Sequence, residues 1–316
     1  MFKRFVVLIC LCLLTVSALS CNRESTSSNG RPRVALVLKT LNNPFFIEMQ
    51  RGAEEAAKAL NVDLTVQAAE RETDVDKQMQ IIENLIQARV NALAVTPSGS
   101  REVVPAIGKA NQAKIPVVVV DTRLDAKAAA EAGVTTATFV GSDNVRGGQL
   151  IGEYLVKASG GKATVAILEG IAGHETGDSR VRGFRDAVKD ASGISIVASQ
   201  TANWERDQGF NVFQNILQAH PAVDTVFACN DMMALGAIEA INAAGKGGRI
   251  RVLGFDAVKD ARLALARGTM AATVAQYPDE MGKAAVEMAV KAIRGETVPP
   301  EVGVRIGLVT KENAHQ

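Results

Sequence analysis

From residue 34 onward, short apolar, often β-branched runs alternate with longer stretches whose apolar positions recur every three or four residues. Runs of the first kind, at 34–38, 62–66, 92–95, 116–120, 136–141, 163–168, 194–199, 223–228, 250–253 and 271–275, predict buried strands of a parallel sheet. The tail at 302–309 reads as a last strand. Stretches of the second kind predict helices over 46–60, 75–88, 103–112, 146–157, 181–189, 209–219, 232–244, 260–267 and 281–293. In 75–88, for example, Val75, Met79, Ile82, Leu85 and Ile86 fall on one face. Regular strand–helix alternation implies right-handed crossovers and a parallel sheet. About ten strands exceed what one small doubly wound sheet normally holds. The pattern therefore predicts an α/β fold of two doubly wound parallel-sheet lobes, with the change of lobe near Ser142.

The N-terminus has a different pattern. Met1–Arg4 is basic, 5–16 is apolar, and the stretch ends in Ser17-Ala-Leu-Ser-Cys21. Residues 1–20 thus read as a signal peptide, too short to span a bilayer comfortably. Cys21, directly after small residues, is similar to a lipoprotein cleavage site, although Ala18 stands where Leu is usual. Lipidation of Cys21 and ordinary secretion with Cys21 as the mature terminus are both open. Residues 21–32, with the polar run 22–30, read as a tether.

Composition changes the picture mainly by exclusion. A net charge of +1 with 22% charged residues gives no electrostatic case for a nucleic-acid or anionic-surface partner. Cys10 and Cys12 leave with the signal and Cys229 is left alone, so no structural disulfide is expected. Cys229 follows a predicted strand and reads as a buried small hydrophobe. Aromatics are only 4% of the chain, so a ring at a strand end is a scarce item.

Catalytic signatures are absent. No G-x-G-x-x-G follows the first strand, Gly161-Lys162 lacks the rest of a phosphate loop, and no G-x-S-x-G occurs. His174 has no second His or Cys near it in sequence, which argues against a metal site, and no cofactor is implied. Polar and aromatic residues do recur where ligands bind in open α/β sheets, beyond the carboxyl ends of the strands. They are Asn43, Phe45, Asp121, Arg180, Trp204, Asn230, Asp256 and Gln276. Carboxylates and amides bond vicinal hydroxyls in pairs, Arg donates from a rigid fork, and flat rings stack on a sugar's apolar face. Each residue alone also has a plain structural role: Asn and Asp as helix caps, Trp as core, Arg in a surface ion pair. The first loop, with Lys39, Asn42, Asn43 and Phe45, fits an ordinary strand–helix turn and a binding loop equally.

Several blocks in one order resemble the periplasmic ribose-binding proteins and their pentose- and hexose-binding relatives, which deliver sugar to ABC importers. They are Thr40-Leu-Asn-Asn-Pro-Phe-Phe46, Ser142-Asp-Asn144 with Gly147-Gly148, Gly170-Ile-Ala-Gly173, Ala198-Ser-Gln200, Ala219-His-Pro221, Val226-Phe-Ala228 with Asn230-Asp231, Met233-Ala-Leu-Gly-Ala237, Ala244-Gly-Lys246, Gly254-Phe-Asp256 and Ala275-Gln276. The resemblance covers nearly the whole mature chain. It implies the type I periplasmic binding protein fold with a three-crossing hinge near Ser142, Gln276 and Val304. The lobes implied are 33–142 plus 277–303 and 143–276 plus 304–316. By position, it places ligand contacts on Asn43, Phe45, Phe46, Asp121, Arg180, Trp204, Asn230, Phe255, Asp256 and Gln276. Trp204 replaces a Phe of the ribose binders, Thr96 an Asn, and Thr122 an Arg that donates to hydroxyls. Lys39 and Trp204 resemble the allose-binding relatives, so ribose and an allose- or psicose-like sugar are both carried forward. The resemblance implies a monomer working outside the cytoplasm, with a monosaccharide and ABC permease subunits as partners, no nucleic acid, and membrane contact only through a lipid on Cys21. Three rivals share parts of this pattern. A sugar-responsive repressor needs a helix-turn-helix where 1–32 offers a signal and tether, a dehydrogenase needs the missing phosphate fingerprint, and a chemoreceptor or sensor module differs only in its partner.

Overall fold

The computed structural model describes residues 30–314. The expected signal segment, Cys21 and residues 22–29 of the tether lie outside the described residues. Two six-stranded sheets, each wrapped by helices, make up the body. The first sheet uses Arg33–Thr40 (β1), Asp63–Ala69 (β2), Ala92–Val95 (β3), Val117–Val120 (β4) and Thr138–Ser142 (β5). Between them run Pro44–Leu60 (α1), Val75–Gln87 (α2), Val104–Gln112 (α3) and Ala126–Glu131 (α4). The second uses Lys162–Glu169 (β6), Gly193–Thr201 (β7), Thr225–Ala228 (β8), Arg251–Leu253 (β9) and Ala272–Ala275 (β10). Asn144–Ser159 (α5), Glu175–Val188 (α6), Arg206–Ala219 (α7), Asp231–Ala243 (α8) and Lys259–Arg267 (α9) belong to this half, and Pro278–Ile293 (α10) returns to pack along α1. Glu301–Val304 (β11) and Gly307–Thr310 (β12) close the chain.

Strand order is β11-β5-β4-β3-β1-β2 in the first sheet and β12-β10-β9-β8-β6-β7 in the second. All pairs are parallel except β10–β12. The sequence pattern follows from this layering. All four residues of β4 are buried, because helices cover both faces. Along β1, Val34, Leu36 and Leu38 feed one apolar cluster and Ala35 and Val37 another, the period of two expected of a strand.

Chain passes between the sheets at three places, after β5, after β10 and between β11 and β12. They lie side by side. Ser142 is in register with Val304, Ala275 with Gly307, and the Arg305 guanidinium sits 3.5 Å over the Tyr277 ring. The tail differs from the single strand that its composition predicts: Arg305 and Ile306 break it, so β11 joins the first sheet and β12 the second. Helix α4 is also additional; its alanine-rich sequence has no apolar periodicity, and none of its residues is buried. Helix α6 begins six residues before the predicted start at 181. Its first turns carry Gly, Ser, Thr and Arg on the inward face, because that face meets a polar cavity instead of a hydrophobic core.

Close helix crossings hold each half together. Helix α5 lies against α6 where a Cβ on Gly148 would collide with the Arg180 carbonyl, and one on Gly183 with that of Val145.

Candidate functional site

Loops at the carboxyl ends of both sheets line a common cavity. Its lining includes ten of the eleven residues singled out above: Lys39, Asn43, Phe45, Phe46, Asp121, Arg180, Trp204, Asn230, Asp256 and Gln276. Phe255 stands one layer back; its ring carries the Arg180 guanidinium at 3.9 Å and packs on Gly147. Glu72 and Thr176 also line the cavity and were not singled out by sequence. Glu72 sits in the charged run 70–74, which reads as solvated surface, and Thr176 in a Gly-rich stretch without periodicity.

From the first half, β1 delivers Lys39 at its end, and the turn into α1 delivers Asn43, Phe45 and Phe46. Asn43 holds two roles at once. Its Oδ1 caps α1 by accepting from the Phe45 N–H at 3.0 Å, while its Nδ2 donates to Glu72 at 3.0 Å. The rings of Phe45 and Phe46 meet edge to face, with centroids 5.2 Å apart. Asp121 directly follows β4. Lys39 Nζ lies 3.3 Å from Asp121 and 3.7 Å from Glu72, all three side chains being buried. Burial pushes the Glu72 carboxyl up to about 7, although Lys39 and the Asn43 amide pull the other way.

From the second half, α6 delivers Thr176 and Arg180, and the β7–α7 loop delivers Trp204. Arg180 donates from Nε to Asn144 at 2.9 Å and from one terminal nitrogen to the Cys229 carbonyl at 2.7 Å. That same nitrogen lies 3.6 Å from Asp256. Asn230 repeats the Asn43 arrangement: Oδ1 caps α8 through the Met233 N–H at 2.9 Å, and Nδ2 holds the Trp204 carbonyl at 3.0 Å. Gln276 donates to Asp256 at 2.6 Å, which leaves its buried Oε1 without a partner among the described residues. Burial raises the Asp256 carboxyl above its ordinary range, against the pull of Arg180. The indole of Trp204 packs so closely on Gly170 that any Cβ there would collide with it.

Three cavity residues, Asp121, Trp204 and Asp256, have left-handed backbone, with φ of 63°, 68° and 117°. Non-glycine residues seldom adopt this region, and they persist there where the surroundings over-determine them. Here strand bonds hold two of them: the Asp121 N–H to Val140 O at 2.8 Å and the Asp256 N–H to Val274 O at 2.7 Å. Thr96 and Thr122 do not line the cavity. The Thr96 hydroxyl bonds Val37 O at 3.2 Å, and Thr122 bonds Asp121 at 3.0 Å. The mouth is bridged by contacts from the start of α6 to first-half loops: His174 to Ser98 O at 2.7 Å, the Glu175 N–H to the Ser100 hydroxyl at 3.3 Å, and Thr176 to Thr122 at 3.1 Å.

Among the described residues no group of three His, Cys, Asp or Glu side chains is placed to hold a metal ion, and no helix is long and apolar enough to cross a membrane. The cavity supplies donors, acceptors and flat rings, with each charge paired or capped.

The sequence pattern of the periplasmic binding protein domain matches residues 34–297, and the chain belongs to that family. It is 39% identical over 300 residues to the ribose import binding protein of Salmonella typhimurium, covering 95% of this chain and 97% of that one. It is 35% identical over 287 residues to the D-allose-binding periplasmic protein of Escherichia coli, covering 90% and 92%. A solved periplasmic solute-binding protein of an ABC transporter from Actinobacillus succinogenes, with D-allose bound, superposes with a TM-score of 0.84 at 42% identity, covering 90% and 99%.

Proposed function

We propose that this chain is an extracytoplasmic sugar-binding protein that captures one monosaccharide, a hexose of the D-allose type, and presents it to an ABC importer. The observation that carries the reading is the cavity: polar groups and aromatic rings from both halves converge on one space, and one buried acceptor, Gln276 Oε1, has no donor among the described residues. A sugar hydroxyl supplies that donor. Asp121 and Asp256 accept from hydroxyls, Arg180 and Lys39 donate, and Trp204 with Phe45 and Phe46 offers rings to the apolar face. Because the ligand touches both halves, it favours the state in which they are together, and the closed outer surface is what a permease would read. Lys39 and the enlarged ring at Trp204 favour a hexose over ribose. The names of the relatives support the sugar class. A monomer held at the membrane by a lipid on Cys21 completes the reading.

A thermal-shift screen of D-allose, D-psicose and D-ribose tests it. Ligand at a hundred times Kd stabilises by about 2.7 kcal/mol. With an unfolding entropy of about 2.1 cal/mol/K per residue, roughly 0.6 kcal/mol/K for a chain of this length, that is a rise of roughly 4–5 °C. Asp121→Ala and Arg180→Ala should each remove the shift while the variant stays folded. An unchanged shift in both variants overturns the site.

A further inference from the structure

The first turn of α6 carries a group that the sugar contacts leave unused. His174 stands at the helix N-terminus, but its side chain makes no capping bond. The ring is buried and lies between the two halves. Nε2 is 2.7 Å from the carbonyl oxygen of Ser98, in the loop after β3 of the first half. Trp204 Nε1, from the second half, is 3.3 Å from Nδ1. An indole N–H only donates, so Nδ1 accepts and the ring proton sits on Nε2, donating to Ser98. Only the neutral ring meets both partners. A proton on Nδ1 would set one N–H against another.

We propose that His174 is a positioning residue for sugar capture: as the neutral ring it fixes the angle of the Trp204 indole and fastens the second half to the first through Ser98. This rests on the sugar-binding reading above. Trp204 needs such a fixture, since its backbone is left-handed and its ring forms one wall of the cavity.

Lys39 at the end of β1 and Asp121 after β4 act on the imidazole; Glu175 is its chain neighbour on α6, Glu72 and Arg180 line the cavity, and Glu205 lies near enough to act on Glu72. In the closed arrangement burial, then Lys39, lowers the ring to about 4, while the Ser98 carbonyl and Asp121 pull it upward. Parting the halves returns it to water, where a histidine titrates near 6.5. His174 therefore supports closure fully above about 6.5 and loses that support as pH falls towards about 4. Glu72 acts in the opposite sense, because burial raises it to about 7 and closure draws a proton onto it. Asp256 is raised likewise. The wild-type profile is their sum, and a His174 variant isolates the imidazole.

His174→Gln keeps a donor and an acceptor but does not titrate. Calorimetric Kd values for D-allose, or D-ribose if that binds tighter, are compared for full-length mature wild type and variant at pH 7.5 and 5.5. The wild-type Kd divided by the variant Kd should rise about tenfold on acidification. Equal pH dependence in the two proteins overturns the proposal and leaves sugar binding standing. A wild type that binds no monosaccharide at pH 7.5 overturns the sugar reading and this proposal with it. A second measurement does not depend on the variant folding. Trp204 is the chain's single tryptophan, so one indole N–H resonance reports it. That resonance should titrate with a midpoint between about 4 and 6.5 in the wild type; a flat response from pH 7.5 to 4 overturns the proposal.

Discussion

At the scale of single residues, the first-half floor is a buried cation between two buried carboxylates. Lys39 neutralises Glu72 and Asp121 at once, so removing it strands both. Lys39→Met should cost about 3–5 kcal/mol at pH 8, the usual range for breaking a buried pair from one side. Glu72 then decides the pH dependence. A carboxyl raised to about 7 contributes stability below its ordinary value and loses it as pH rises through about 7. The deficit of Lys39→Met should therefore be smaller at pH 5 than at pH 8, as read from urea midpoints; a deficit independent of pH contradicts this account. At the same scale, the sequence showed which types of residue gather at strand ends but not how each is used. Asn43 and Asn230 illustrate the gap, for each is a plain helix cap and a cavity residue simultaneously. The cap reading of that loop holds, and the same residues line the cavity. Glu72 was illegible because a charged run on the surface and a charged residue turned inward are written alike. The sequence around His174 raises only the question of a metal ligand, whereas its partners are Ser98 and Trp204, remote in sequence.

Elements were more legible than residues where they face hydrophobic neighbours, and less so where they face the cavity. The strands could be read because both sheet faces are covered by apolar helices. The start of α6 is not legible in the sequence because its inward face meets polar space, and the helical period leaves no apolar trace there. The crossing of α5 with α6 sets where that helix lies, and it leaves no room at Gly148. Gly148→Ala should destabilise by about 1–3 kcal/mol, the range for overpacked sites. Since the collision falls on the Arg180 backbone, sugar affinity should drop as well. Melting temperature and calorimetry together check this; full affinity in the variant would mean that α6 can shift without moving Arg180.

For the molecule as a whole, the contacts at the cavity mouth exist only while the halves are together. Ser100 accepts from the Glu175 N–H across that boundary at 3.3 Å. Losing one such bond costs about 0.5–1.5 kcal/mol. Ser100→Ala should therefore speed sugar release about two- to tenfold in stopped flow while leaving the melting temperature of the sugar-free protein in place. A lowered sugar-free melting temperature with unchanged release would place the bond's role in folding instead.

The three passages of chain between the sheets have a mechanical consequence. Ser142 beside Val304, Ala275 beside Gly307, and Arg305 over Tyr277 put all three along one border of the molecule. Three struts in a row permit swing about the line that joins them and oppose both sliding and twisting. Such a hinge would leave the halves one degree of freedom, and residues as remote in sequence as Asp121 and Asp256 would return to the same alignment after each opening.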